Sequence, residues 1–309
     1  DITEAIRLDP KDFSYYASRG IAYSGLKDYK QAISDLTEAI RLDPKNAPYT
    51  VRGLRYSEFK DNKILISSYN KRISIVYKAR GDSHRNLKNY KQAIDDYTQA
   101  IKIDPKDATY YRDRGNTYFQ LKDYKQAIND YTQAIKIDDK NAIYYDARGN
   151  TYLELKNYKQ AINDYTQAIQ LDPKNAIYYG GRGLAYLQLK DYKQAINDWN
   201  QAIKLKPDYP EAYTNLGIVS YEMGEVETAI NYWRNAIKIN SNFAEAHLAL
   251  GVALYGKGDQ EAGLKSAETA LKLDKRYGNI EFLKENGWGE KLIKNTQELL
   301  NHPRIKVLI

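Results

Sequence analysis

The sequence predicts an all-α solenoid, in which helix pairs of one design are stacked instead of folding around a single core. Three observations carry this. Gly81, Gly115, Gly149, Gly183, Gly217 and Gly251 recur every 34 residues, and Gly20 opens an earlier copy. A fixed period in this range marks supersecondary units that touch mainly their neighbours. Each period holds two stripes of small and apolar residues spaced three and four apart, which is the pattern of amphipathic helices. At 309 residues, one round core would also be near its practical limit.

Each element has a local reason. Counting a unit so that its glycine is position 8, the first helix opens after Asn46, Asp107, Asn141 or Asn175, whose side chains can accept from free amides of the first turn. The second helix opens at Asp28, Asn89, Asp123, Asn157 and Asp191. Three residues on stand Gln31, Gln92, Gln126, Gln160 and Gln194. That is a capping-box spacing with Asp or Asn in place of Ser or Thr. Pro44, Pro105, Pro173 and Pro207 follow the second helix and stop it. Positions 4, 8 and 11 (Tyr111, Gly115, Tyr118) share one face, and positions 20, 24 and 27 (Ala127, Tyr131, Ala134) answer it. Glycine and alanine let the backbones approach while the rings fill the gaps, which assigns most of the 30 tyrosines to packing.

The net charge is +7, but the 47 basic and 40 acidic residues are interleaved. Acidic partners are permitted and nucleic acid is not required. The chain has no cysteine, which excludes thiol chemistry. No apolar run approaches the roughly 18–20 residues of a membrane span, and no targeting signal is visible, so a cytoplasmic location is expected. His84, His247 and His302 lie far apart, the first two at packing positions. Asp82, Ser83 and His84 are adjacent, but neighbours on a helix point in different directions. With no metal-ligand spacing and no phosphate loop, neither an enzyme nor a cofactor or metal is expected.

Tyr at 4, Gly at 8, Tyr at 11, Ala at 20, Tyr or Trp at 24, Ala at 27 and Pro at 32 together resemble the tetratricopeptide repeat over about residues 13–277. Near-complete copies start at 13, 74, 108, 142, 176, 210 and 244. Residues 1–12 match the second half of a repeat, as if the chain were a fragment, and 278–309 read as capping helices and a tail. Residues 282–297, around Trp288, are similar to tails of some bacterial, including cyanobacterial, proteins of this family. The resemblance implies antiparallel helix pairs in a right-handed superhelix, and a concave groove lined by first helices that serves as a protein-binding scaffold.

Two features depart from the family pattern. Gly20 to Gly81 spans 61 residues where two units need 68, so a shortened unit is expected at about 47–75, lacking its turn near Ile75 and Val76. Arg19, Arg80, Arg114, Arg148 and Arg182 hold position 7, and Asp35, Asp96, Asp130, Asp164 and Asp198 hold position 23. In the last two copies both change together, to Leu216 with Tyr232 and Leu250 with Ser266. This co-occurrence predicts an Arg–Asp ladder, within or between units, that fixes register more than it adds stability.

In the family the groove is lined by positions 2, 5, 9, 12 and 13. Here the residues assigned to it by that likeness are Lys78, Asp82, Arg85, Asn86, Arg112, Asn116, Phe119, Asp146 and Asn150, followed by Leu153, Leu184, Leu187, Tyr221 and Tyr255. The first group is polar and partly basic, the second apolar. Such a surface suits an extended or helical peptide with acidic and hydrophobic parts. A carboxylate clamp for C-terminal peptides begins at Arg112 and Asn116, but Ala147, Ile177 and Gly181 do not continue it. Two alternatives stand beside peptide binding: an RNA- or polyanion-binding repeat, against which Asp82, Asp146 and Glu154 interrupt the basic residues, and the adaptor part of a larger enzyme.

Overall fold

A computed structural model of the chain describes residues 1–42, 50–51, 54–55 and 63–309, without side chains for 63–66 and the two short strands. A truncated helix α1 (Ile2–Leu8) precedes the pair α2 (Phe13–Gly25) and α3 (Tyr29–Arg41). A two-residue antiparallel pair, β1 (Thr50–Val51) with β2 (Leu54–Arg55), follows. Next come α4 (Lys63–Asn86) with α5 (Tyr90–Ile103), α6 (Ala108–Gln120) with α7 (Tyr124–Ile137), α8 (Ala142–Glu154), α9 (Tyr158–Leu171), and α10 (Ala176–Gln188) with α11 (Tyr192–Leu205). The last repeats are α12 (Pro210–Glu222) with α13 (Val226–Ile239) and α14 (Ala244–Gly256) with α15 (Gln260–Leu273). After a 3-10 turn (Lys275–Gly278) the chain ends in α16 (Ile280–Glu285), α17 (Glu290–Leu300) and α18 (Pro303–Lys306). Two units are distinguished, residues 1–151 and 152–309, each an array of packed helix pairs. Among the described residues no helix is long and apolar enough to cross a membrane.

The capping signals work unevenly. Asp123 accepts from the Gln126 amide at 3.2 Å, and Asp28 and Asp191 do the same for Gln31 and Gln194. Asn89 and Asn157 make no such bond. At first-helix starts, Asp107, Asn141 and Asn175 each accept from the amide two residues on. Asn46 and Pro44 lie outside the described residues. The turn between paired helices depends on a residue the spacing did not reveal: Lys27, Lys88, Lys122, Lys156 and Lys190 hold φ of 59–62°. Gly224 and Gly258 take the same repeat position at φ 90° and 99°. The left-handed conformation lets the following amide fold back, as Asp123 does to the Tyr118 carbonyl at 2.9 Å.

Packing follows the predicted code with one amendment. Tyr97, Tyr131, Tyr165, Trp199 and Trp233 at position 24 are all buried, and so are the alanines on either side of them. A Cβ on Gly115 would stand 2.8 Å from the Tyr131 ring, which is why position 8 is glycine. The amendment concerns position 3. Tyr110, Tyr144 and Tyr178 are buried there, whereas the position 4 tyrosines are half-buried. Tyr110 shares a hydrogen bond with Ser74 of the preceding repeat at 3.0 Å.

The position 4 ring serves the arginine ladder instead. Arg114 donates to both oxygens of Asp130 at 2.8 and 2.7 Å, donates to Thr98 of the preceding repeat at 2.9 Å, and lies 5.9 Å from the Tyr111 ring centroid. Arg19 and Asp35, Arg80 and Asp96, and Arg182 and Asp198 pair in the same bidentate way. The ladder is therefore both within and between repeats. The carboxylate belongs to the arginine's own unit and the threonine hydroxyl to the one before.

The same inter-repeat bond links the repeat beginning at 74 to the pair α2–α3. Arg80 donates to Thr37, 43 residues away, where Arg114, Arg148 and Arg182 each reach a threonine 16 residues back. The repeat beginning at 74 thus packs on the pair α2–α3, and the shortened unit expected at about 47–75 falls largely outside the described residues. Without an Asp-Pro turn nothing stops the helix, and α4 runs unbroken from Lys63 to Asn86. Tyr69, Ile73 and Val76 of α4 are buried with Ala17, Ala32, Leu36 and Ala39.

Candidate functional site

In residues 1–151, the first helices α4 and α6 bring Lys78, Asp82, Arg85 and Arg112 of the predicted groove residues into one cluster. Its centre is Asp113, a buried carboxylate at position 6 that was not among them. Lys78 Nζ lies 3.0 Å from Asp113 and 2.7 Å from Asp82. Arg112 donates twice to Asp113 Oδ1, at 2.9 and 2.7 Å. Arg85 is held more loosely, 3.5 Å from Asp82 and 3.8 Å from Asp113. Burial pulls the Lys78 ammonium down, but Asp113 and Asp82 outweigh it and hold the pKa above the ordinary lysine value. Three cations and two carboxylates share this site, and the cation side chains remain 26–28% exposed.

The second helices set the acceptors. Tyr97 donates to Asp82 at 2.7 Å and Tyr131 to Asn116 at 2.8 Å. Asn86 turns back onto its own helix, donating to the Asp82 carbonyl at 2.8 Å. Beside the cluster a cleft of about 410 Å³ opens between Arg85, Tyr90, Asn116, Phe119 and Gln120. Phe119 is braced by Tyr124 at 5.5 Å between ring centroids. On α8 the Asp146 carboxyl is pushed up to about 6 by burial, against a hydrogen bond with Asn150 that lowers it.

In residues 152–309 the predicted apolar groove residues are drawn into packing to different degrees, and Leu187 also borders a cleft of about 340 Å³ with Gln188, Glu222 and Trp288. Leu153 packs beside Tyr165 and Ala185. Leu187 is buried with Trp199, and Leu184 packs against the same cluster. Tyr221 is 3% exposed and joins the core that contains Trp288, Leu292 and Leu299 of the C-terminal segment. Tyr255 meets the edge of His302. At Tyr221 the first-helix face is covered, because α17 lies against α12 and α14. Apolar positions left without a polar rim bury themselves when a suitable helix is tethered nearby.

The docking is polar as well as apolar. Glu222 accepts from the amides of Leu292 (2.8 Å) and Lys291 (3.2 Å) at the start of α17. Asn295 donates to the Tyr221 hydroxyl at 2.6 Å, and Trp288 Nε1 donates to Glu245 at 2.9 Å. Gly289 allows the approach, because a Cβ there would run into the Glu222 carboxyl. Burial pushes the Glu245 carboxyl up to about 7.

Periodic helix pairs with a first-helix face held by side chains define an α-solenoid of the interaction-scaffold class. The chain belongs to the tetratricopeptide repeat family: the TPR repeat profile matches residues 81–122, 115–156, 149–190, 183–224 and 219–258, and the tetratricopeptide repeat profile matches residues 14–46. Among solved structures, it is similar to a tetratricopeptide repeat protein from Parabacteroides merdae (17% identity, 93% of this chain and 99% of that one, TM-score 0.65). It is also similar to the PilF protein of Pseudomonas aeruginosa (22% identity, 69% and 96%, TM-score 0.57) and to MamA (29% identity, 53% and 95%, TM-score 0.47). No curated protein matches the sequence.

Proposed function

We propose that this chain is a non-catalytic scaffold that binds a peptide segment of a partner protein on the first-helix face of α4, α6 and α8. The segment carries a carboxylate beside an apolar side chain. One observation carries the reading: the cleft of about 410 Å³ has Phe119 on one wall and Arg85 on another, next to the Lys78–Arg112–Asp113 cluster. Arg85 has the longest ion-pair contacts of the cluster and can turn to a ligand carboxylate at small cost. Lys78 and Arg112 are fixed by Asp113 and supply a standing positive field. The apolar anchor supplies affinity and the carboxylate supplies orientation. Lys78, Asp82, Asn86, Asn116, Asp146 and Asn150 shape the rim.

The test is selection of peptides from a displayed random library on the full chain. Peptides pairing Asp or Glu with an aromatic or aliphatic residue are expected. Arg85→Ala and Phe119→Ala should each weaken the selected peptide about tenfold or more without lowering the melting temperature. Unchanged binding in both variants refutes the assignment of this face.

A further inference from the structure

We propose that the turn edge of residues 1–151, where the two helices of each repeat meet, is a docking surface for an anionic lipid bilayer. Its three turns set Leu26, Leu87 and Leu121 among exposed lysines. The edge is distinct from the first-helix face and does not rest on the peptide-binding reading.

The stacking of α2, α4 and α6 brings the turns side by side. Ser83 in the last turn of α4 donates to Ser24 in the last turn of α2 at 3.4 Å, and the cleft beside Phe119 runs between Gln120 and Tyr90 of successive turns. Three apices define a plane, which is what contact with a flat bilayer requires. At position 14, Leu26, Leu87 and Leu121 are 77%, 36% and 48% exposed. Lys27, Lys88 and Lys122 follow at position 15, and Lys30, Lys91 and Lys125 at position 18, all exposed. Among the described residues none of these six lysines is in an ion pair. Asp28 and Asp123 in the same turns are held by the amides of Gln31 and Gln126, and Asp95 follows Lys91 by one helical turn without pairing with it.

Local stability does not account for these lysines. Lys27, Lys88 and Lys122 hold φ of 60–62°, a conformation that glycine adopts freely and other residues only at a cost. Lys30, Lys91 and Lys125 are the second residues of α3, α5 and α7, where the helix dipole disfavours a cation. The last two repeats build the same turn from the locally favoured residues. Gly224 and Gly258 hold position 15. Glu227 and Glu261 hold position 18, paired with Lys257 and Arg304. Lysine placed against both preferences, beside exposed leucine, matches a layer of lipid phosphates and carboxylates lying over an apolar one. Anionic headgroups attract each ammonium, the lysine stems lie along apolar surface, and leucine reaches the acyl boundary. RNA offers the phosphates but no apolar layer for the leucines.

The experiment is co-sedimentation of the full chain with vesicles of phosphatidylcholine alone and of phosphatidylcholine mixed with phosphatidylserine. Wild type should bind the mixed vesicles and not phosphatidylcholine alone, and added salt should weaken binding. Lys27→Gly, Lys88→Gly and Lys122→Gly together relieve the turns and should weaken binding on the order of 100-fold. Leu26→Ser, Leu87→Ser and Leu121→Ser together should weaken it about tenfold or more. Lys102→Gln, Lys106→Gln and Lys140→Gln remove the same charge at the other end of the helix pairs and should leave binding within about twofold of wild type. Should a triple variant unfold, amine-reactive footprinting of the wild-type chain replaces it. Mixed vesicles should then protect Lys27, Lys88 and Lys122 while Lys106 and Lys140 stay reactive. The proposal is overturned by equal binding to both kinds of vesicle, by no binding to either, or by a footprint that the vesicles do not alter. Equal loss in the variant of Lys102, Lys106 and Lys140 overturns it by making net charge the cause. A folded leucine variant that binds like wild type overturns it by making the edge a site for polyanions such as RNA.

Discussion

Replacing Arg114 with leucine tests whether the ladder is a matched set or an ornament. The substitution is already present in the chain three repeats on: position 7 is Leu216 there, and position 23 is Tyr232. Arg114 and Asp130 side chains are 18% and 7% exposed. Arg114→Leu leaves Asp130 enclosed without its bidentate partner, which costs about 3–5 kcal/mol. Loss of the Tyr111 ring contact adds about 0.5–1 kcal/mol. Arg114→Leu with Asp130→Tyr removes the stranded carboxylate and should recover most of this, to within about 2 kcal/mol of wild type, since replacing both members of a buried pair is often near neutral. Burial already pushes the Asp130 carboxyl up, with Arg114 opposing it. Without Arg114 the folded-state value rises further above the unfolded one. The penalty of the single variant should therefore shrink as pH falls toward the protonated form and grow as pH rises through it. Urea titrations followed by far-UV circular dichroism, fitted as nearest-neighbour repeat unfolding, measure this. A single variant costing under about 1 kcal/mol, or a double variant no better than the single, refutes the reasoning.

Three further outcomes are expected. Lys122→Gly should stabilise the chain by about 0.5–1 kcal/mol, because Lys122 holds φ of 60° that glycine adopts without strain; an unchanged or lower urea midpoint would count against it. Gly115→Ala should cost about 1–3 kcal/mol, since its Cβ would stand 2.8 Å from the Tyr131 ring, read as a fall in melting temperature. Glu245 has a folded-state pKa raised by burial from 4.5 to about 7, so stability present at low pH is lost as pH climbs between those values, by roughly 3 kcal/mol at most. Glu245→Gln should flatten that dependence in tryptophan-fluorescence urea titrations at several pH values, while its amide oxygen still accepts from Trp288.

Much of the fold was legible because repetition averages over local ambiguity. Glycine at position 8, the flanking alanines, and the paired change at Arg/Leu 7 and Asp/Tyr/Ser 23 each recur in several copies. Each pointed to a contact the structure contains. What escaped reading were contacts that one unit cannot show. Thr98 and Thr37 matter only to the arginine of the next layer, and Ser74 only to Tyr110. The left-handed lysines were hidden by their residue type, although Gly224 and Gly258 at the same position were a signal. Asp113 sits between the positions taken from the family likeness. Its role as the anchor of Lys78 and Arg112 depends on two neighbouring first helices.

The tail's position over α12 and α14 belongs to neither class, yet it has a sequence cause. Positions 5 and 9 are Lys78 and Asp82, then Arg112 and Asn116, then Asp146 and Asn150 in the earlier repeats. They become Thr214 and Ile218, then Leu248 and Val252 in the last two. A first helix needs only one apolar side to pack on its partner and neighbours. α14 is apolar all round, with Ala246, Leu248, Ala249, Leu250, Val252 and Ala253 all buried, and a helix of that kind has to be covered on every side. In α4 and α6 the equivalent side carries paired charges that water can solvate, so nothing requires a cover. The same repeat thus presents two surfaces by changing two positions. One is polar enough to stand in water uncovered. The other is apolar enough that the chain keeps its own helix there.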